Sequence, residues 1–162
     1  MRNFDTSVKR ILVSVLKNII ETNNFERLFD FYFEQFDTYK FYLHNFDEEK
    51  IKKYAHILYP FMCNKTIYIY RGIATETYDE IEQNEKIGNC WTYDKDIAIQ
   101  FTIKLANIDD LFTTCIFTAK CDIENIDWVM SILLNSIEPN EKEIRIYKPE
   151  LLKNIKIEFD EY

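Results

Sequence analysis

Thr66-Ile67-Tyr68-Ile69-Tyr70-Arg71-Gly72-Ile73 is the stretch on which the fold turns. Its β-branched and aromatic residues alternate with a period of two, which marks a strand rather than a helix. Everything before it has the other period. Val8, Ile11, Leu12, Val15, Leu16 and Ile19 recur at three- and four-residue spacing behind Asp5, Thr6 and Ser7, residue types that cap helices. Phe25, Leu28, Phe29, Tyr32, Phe33 and Phe36 repeat the pattern as an aromatic stripe best explained as core. Ile51, Tyr54, Ala55 and Leu58 follow Asp47 as a cap and lead to Pro60. A helix is expected to stop there, because proline lacks the N–H and crowds the preceding turn. Beyond the first strand, residues 94–105 return to helical spacing, with Ile97, Phe101 and Leu105 four apart, while 111–121, 143–147 and 155–159 read as strands. Helices over 1–62 and strands over 65–160 make one α+β domain spanning 1–162.

Composition narrows the possible functions. A chain of 162 residues buries roughly two-thirds of its unfolded surface and folds without a metal or disulfide staple. With 47% hydrophobic residues, two glycines and three prolines, it is neither disordered nor linker-like. The 28 acidic residues exceed the 20 basic ones, giving a net charge of −8. That argues against nucleic acid as the main partner, since phosphate-backbone binding is driven by Lys and Arg displacing counterions. Cys63, Cys90, Cys115 and Cys121 include no CxxC pair, and His44 and His56 form no HExxH, so no metal is expected. The cysteines read as reduced and mostly core, in keeping with a cytoplasmic protein. Residues 11–20 are apolar but are broken by Ser14, Lys17 and Asn18, too short a run for a bilayer span, so no membrane partner is expected.

Three places carry candidate chemistry. The two glycines, Gly72 and Gly88, each mark a backbone need such as close approach of another group. Arg71 ends an apolar row of Ile67 and Ile69. A guanidinium there requires an anion, either a carboxylate of the protein or a bound phosphate held in its fork. In Glu141-Lys142-Glu143-Ile144-Arg145-Ile146, strand alternation puts Glu141, Glu143 and Arg145 on one face. Two carboxylates so placed repel, which raises one pKa and suits acid–base or cation-stabilising work. The alternative is a solvated face neutralised by Arg145.

In chain order, Tyr70-Arg71-Gly72, then Gly88-Asn89-Cys90-Trp91-Thr92, then 94–101 with Ala98 and Phe101, then Glu141-Lys142-Glu143-Ile144 resemble the arginine-serine-glutamate clade of mono-ADP-ribosyltransferases. That clade includes clostridial actin-modifying toxins and vertebrate arginine-specific enzymes. The resemblance covers about residues 65–160 and implies a mixed β-sandwich core of the ADP-ribosyltransferase type behind the N-terminal helices. It implies transfer of ADP-ribose from NAD, the substrate, to an unidentified target protein, at arginine, without a metal. By the same resemblance Arg71 binds an NAD phosphate, the Gly72 backbone lies against the nicotinamide amide, and Glu143 is the catalytic glutamate. Glu141 holds, or takes a proton from, the acceptor guanidinium. Cys90-Trp91-Thr92 occupies the place of Ser-Thr-Ser, so Cys90 and Trp91 depart from the family while Thr92 keeps a hydroxyl to orient Glu143.

Tyr70, Trp91 and Phe101 are candidate aromatic walls for the nicotinamide ring, each with plain packing as its alternative, and Phe101 is the most readily explained as core. The negative charge suits a cationic target. An isoleucine- and asparagine-rich composition suggests an AT-rich genome, and a compact single-domain transferase suggests a phage or bacterial effector. The same pocket with water as acceptor would be an NAD glycohydrolase. Kept without catalysis, it would be a silent binding module.

Overall fold

The computed structural model describes residues 6–27, 47–77, 87–109 and 113–159. Among the described residues two helices, α1 (Thr6–Thr22) and α2 (Glu48–Met62), precede the first strand. α1 buries Val13, Leu16, Ile19 and Ile20, with Val15 half-buried beside them. The side chains of Thr6, Ser7, Val8, Ile11 and Leu12, the residue Asp5 and the aromatic stripe from Leu28 to Phe36 lie outside what is described, so the expected cap among Asp5, Thr6 and Ser7 does too. Phe25 is buried, its ring edge-on to His56. Asp47 caps α2 as expected, accepting from the Lys50 N–H at 3.2 Å, and Ile51, Ala55, Leu58 and Met62 form its buried row. Pro60 does not end this helix. It sits exposed in the last turn, and the burial of Met62 half a turn later outweighs the one backbone bond proline cannot make.

The strands are β1 (Thr66–Thr75), β2 (Cys90–Thr92), β3 (Thr113–Asp122), β4 (Glu143–Arg145) and β5 (Lys153–Phe159). They form one sheet in the order β4-β2-β1-β3-β5, every pair antiparallel. β1 pairs with β3 along its whole length, from Thr66↔Asp122 to Thr75↔Thr113, but meets β2 at the single pair Tyr70↔Thr92. α3 (Lys95–Asp109) connects β2 to β3, and α4 (Trp128–Ile137) connects β3 to β4. Ile67, Ile69, Ile73, Trp91, Phe117, Ala119 and Ile144 share one core with α1, α2 and α4. The other face carries Gly72 and Ile116, and there α3 buries Ala98 and Thr102 against the sheet.

The class is therefore α+β, but the described residues do not form a mixed β-sandwich. Helices cover both faces where a second sheet was expected, so the apolar side of the strands is buried without further strands. α4 is the element that apolar spacing does not reveal. Trp128, Val129, Met130, Ile132 and Leu133 are buried together with its polar Ser131, Asn135 and Ser136, and a helix buried all round has no stripe to read. Its one local signal is Asp127, whose carboxylate accepts from the Met130 N–H at 3.0 Å. The cysteines are not mostly core: Cys115 and Cys121 are buried, Cys63 and Cys90 exposed, all four as free thiols. Among the described residues no helix is long and apolar enough to cross a membrane.

Candidate functional site

Strands β1, β2 and β4 and helix α3 enclose a cleft of about 440 Å³. Tyr70, Arg71 and Gly72 border it from β1, Trp91 and Thr92 from β2, Phe101 from α3, and Glu141 and Glu143 from the approach to β4. All eight candidate residues therefore meet in one place. The register explains part of the meeting: Tyr70 pairs with Thr92 and Thr92 with Glu143, so three adjacent strands set Tyr70, Thr92 and Glu143 on one face. Ile97, Phe101 and Leu105 turn the second wall, on α3, toward the same space.

Arg71 is half-buried, and its Nη1 donates to the Cys90 carbonyl. Its Nε is buried without a partner. None of the ion pairs among the described residues includes it, so none of those carboxylates forms a structural salt bridge with it. Burial holds the guanidinium below its ordinary pKa; Cys90 and Glu143 oppose that shift and Arg145 adds to it. Gly88 exists for this side chain: a Cβ there would lie 3.0 Å from Arg71 Nη2. The Trp91 indole N–H fixes Gly88 by donating to its carbonyl at 2.7 Å. Gly72 has another cause. A Cβ on it would fall 2.1 Å from the Ala98 carbonyl oxygen and 2.3 Å from Thr102 Oγ1, so its missing side chain lets α3 close on β1. The space a side chain would need is filled by helix, so packing against α3 is itself a reason for this glycine, which still borders the cleft.

The two glutamates share the cleft through a turn, not through strand alternation. Glu141 closes a 3-10 turn (Pro139–Glu141), Lys142 is left-handed at φ 46°, and the strand begins only at Glu143. The Glu143 side chain is 14% exposed, with Oε1 3.3 Å from Arg145 Nη2. Burial raises its pKa; Arg145 pulls against that, Glu141 adds to it, and Cys90 and Arg71 pull it down again. β4 is an edge strand, and α4 satisfies its outward backbone. Asn135 Nδ2 donates to the Glu143 carbonyl at 2.7 Å, the Arg145 N–H donates to Ser131 Oγ at 2.9 Å, and the Asp127 N–H donates to the Arg145 carbonyl at 2.8 Å. These bonds fix where Glu143 starts. In the sequence, only two polar residues inside an apolar run, Ser131 and Asn135, hint at them.

Thr92 does not orient Glu143. Its hydroxyl donates to the Lys142 carbonyl at 3.0 Å and accepts from the Asp94 N–H at 3.2 Å, so its one proton is already committed to the turn. The Glu143 carboxylate instead has Arg145 Nη2 at 3.3 Å and the Cys90 thiol beside it, two residues before Thr92 on the same face of β2. Trp91 is 2% exposed and packs in the core, because alternation turns it to the face opposite Thr92. Phe101 reverses its expectation in the other direction. It is exposed at the cleft rim, with Lys104 Nζ 5.7 Å from its ring centre. Half-buried Tyr70 separates the cleft from a second groove beside Tyr68 and Lys156.

No protein-family model, curated protein or solved structure matches this chain. Among the described residues no cluster of His, Cys, Asp or Glu could hold a metal ion. The cleft carries charged groups of its own. An arginine outside every ion pair among the described residues can hold an anion at one point, and a largely buried carboxylate can stabilise positive charge at another.

Proposed function

We propose that this chain is a mono-ADP-ribosyltransferase that moves ADP-ribose from NAD to a protein side chain, an arginine by the likeness of its Glu141-x-Glu143 pair to the arginine-specific enzymes. One observation carries the reading. Arg71, the 90–92 strand and both glutamates, far apart in the chain, line one cleft. The residues also suit the substrate. Arg71, with a buried, unpartnered Nε, can take an NAD phosphate, and Tyr70 and the exposed Phe101 present aromatic surface to a nicotinamide ring.

In this reaction the bond between nicotinamide nitrogen and ribose C1′ breaks. Its electron pair goes to the ring nitrogen, neutral nicotinamide leaves, and C1′ becomes electron-poor, as in glycoside hydrolysis. Glu143 stabilises that charge in a site partly shielded from water, where Coulomb attraction is stronger. It acts as the carboxylate, the form that Arg145 and Arg71 favour against burial. A guanidinium nitrogen of the acceptor then bonds to C1′, and the proton it loses passes to Glu141.

The test is incubation with NAD and candidate acceptor proteins, following nicotinamide release and the intact mass of the acceptors. Nicotinamide release together with an added ADP-ribose is the expected result. Release with no acceptor modified makes the protein an NAD glycohydrolase. Binding without release makes it a silent binding module.

A further inference from the structure

We propose that Arg145 is the second arm of a diphosphate clamp, closing with Arg71 on one ligand. The inference rests on the functional reading above and assigns the phosphate contacts of that same site. The two arginines stand on the strands that flank Cys90 in the sheet. From β1, Arg71 donates to the Cys90 carbonyl. From β4, Arg145 is the direct partner of Cys90 in the β2–β4 ladder, where paired Cα atoms stand about 4.5–5.5 Å apart. The Ile146 N–H, donating to the Asn89 carbonyl at 2.9 Å, holds that register. Both side chains line the cleft, and both have a buried Nε with no hydrogen-bond partner.

The two cations share one cleft and repel, and the structure gives them little relief. Among the described residues Arg71 has no carboxylate in an ion pair, and Arg145 has one, Glu143, with Nη2 3.3 Å from Oε1, although a guanidinium carries five donors. A diphosphate resolves this: its two phosphoryl groups, joined through one oxygen, each present a face to a guanidinium fork. A single phosphate occupies one fork and leaves the other cation unmatched. Glu143 opposes the clamp, because it repels the incoming anion and competes for Arg145.

Calorimetric titration of the full chain with inorganic pyrophosphate, orthophosphate and NAD tests this. Native protein should bind pyrophosphate more tightly than orthophosphate. Arg145→Gln and Arg71→Gln should each weaken pyrophosphate binding by about tenfold or more, as expected for losing a charged hydrogen-bonding partner. Arg145→Lys should recover only part, since an ammonium cannot fork. Glu143→Gln should tighten pyrophosphate binding several-fold (a gain that damage to the fold cannot produce). If Arg145→Gln does not fold, the Arg145→Lys and Glu143→Gln arms decide. Unchanged pyrophosphate affinity in the Arg145 variants, weaker binding in Glu143→Gln, or no pyrophosphate binding by the native protein overturns the clamp. NAD binding indifferent to Arg145 removes the clamp and leaves the transferase reading intact. Pyrophosphate following the expected pattern without any NAD binding does the reverse.

Discussion

Replacing Gly72 by alanine drives a methyl group into α3. The new Cβ would lie 2.1 Å from the Ala98 carbonyl oxygen, 2.3 Å from Thr102 Oγ1 and 3.0 Å from the Thr102 amide nitrogen. Ordinary contact begins at 3.4 Å, so the helix must retreat by more than 1 Å. No rotamer relieves the clash, because the nearest atom is backbone, and buried Thr102 Oγ1 is itself bonded to the Ala98 carbonyl at 2.9 Å. Overpacking costs about 1–3 kcal/mol, and moving a helix belongs at the upper end. A stiffer unfolded chain returns about 0.4–1 kcal/mol, leaving a net loss of about 2 kcal/mol. In a chain of this size that lowers the melting midpoint by about 4–8 °C. Gly88→Ala is the matched control. Neither glycine has a positive φ, so both effects are steric. At Gly88 the new Cβ meets the guanidinium end of Arg71, which can swing aside. Stability should stay within about 0.5 kcal/mol of native while NAD affinity falls. Thermal melts and NAD titrations of the two variants check both halves. A native melting midpoint for Gly72→Ala, or a Gly88→Ala variant that loses stability and keeps NAD affinity, would refute this account of the glycines.

The two glutamates should separate by role. Glu143→Gln loses NAD hydrolysis and transfer together, by roughly a hundredfold or more, while Glu141→Gln loses transfer and keeps nicotinamide release. Nicotinamide release measured beside label transfer decides it, and equal losses in both variants count against the division. Thr92→Val should cost about 1–3 kcal/mol of stability, because the Lys142 carbonyl and Asp94 N–H lose their partner, with activity per folded molecule retained. An unchanged urea midpoint contradicts it. Glu143 also makes stability depend on pH. Burial raises its pKa above that of the unfolded chain, so the folded state holds the proton longer. The stability it contributes is full below the ordinary carboxylate range and is lost as pH rises through the raised value. Urea midpoints across that range should fall in native protein and flatten in Glu143→Gln, while turnover climbs over the same interval as the carboxylate forms.

Much of the site was legible because its residue types are unusual for their positions. An arginine at the end of an apolar strand, glycines in a chain that has only two, and paired glutamates before an aliphatic strand all demand a reason, and Arg71, Gly72 and both glutamates do line one cleft. What sequence could not assign was the partner of each group. Thr92 and Cys90 both stand on the cleft face of β2, and alternation treats them alike. The turn at left-handed Lys142 takes the Thr92 hydroxyl and leaves the Cys90 thiol for Glu143. Trp91 is by its sequence a candidate wall of the site with packing as its alternative; alternation turns it away from Thr92 but does not say which side of the sheet holds the core, and packing put it there.

Local pattern sufficed for the helical beginning, the change of period at Thr66, the Asp47 cap and the order in which the charged residues arrive. Each depends on side chains a few residues apart. Three further features came from long-range packing: that α4 exists, that the sheet is single, and that Arg145 stands across Cys90 from Arg71. A period of two assigns a strand residue to a face but not to a neighbour. The neighbours follow from register, and register here follows from packing Trp91 beside Ile144 in the core while the buried side chains of α4 hold the outer edge of β4.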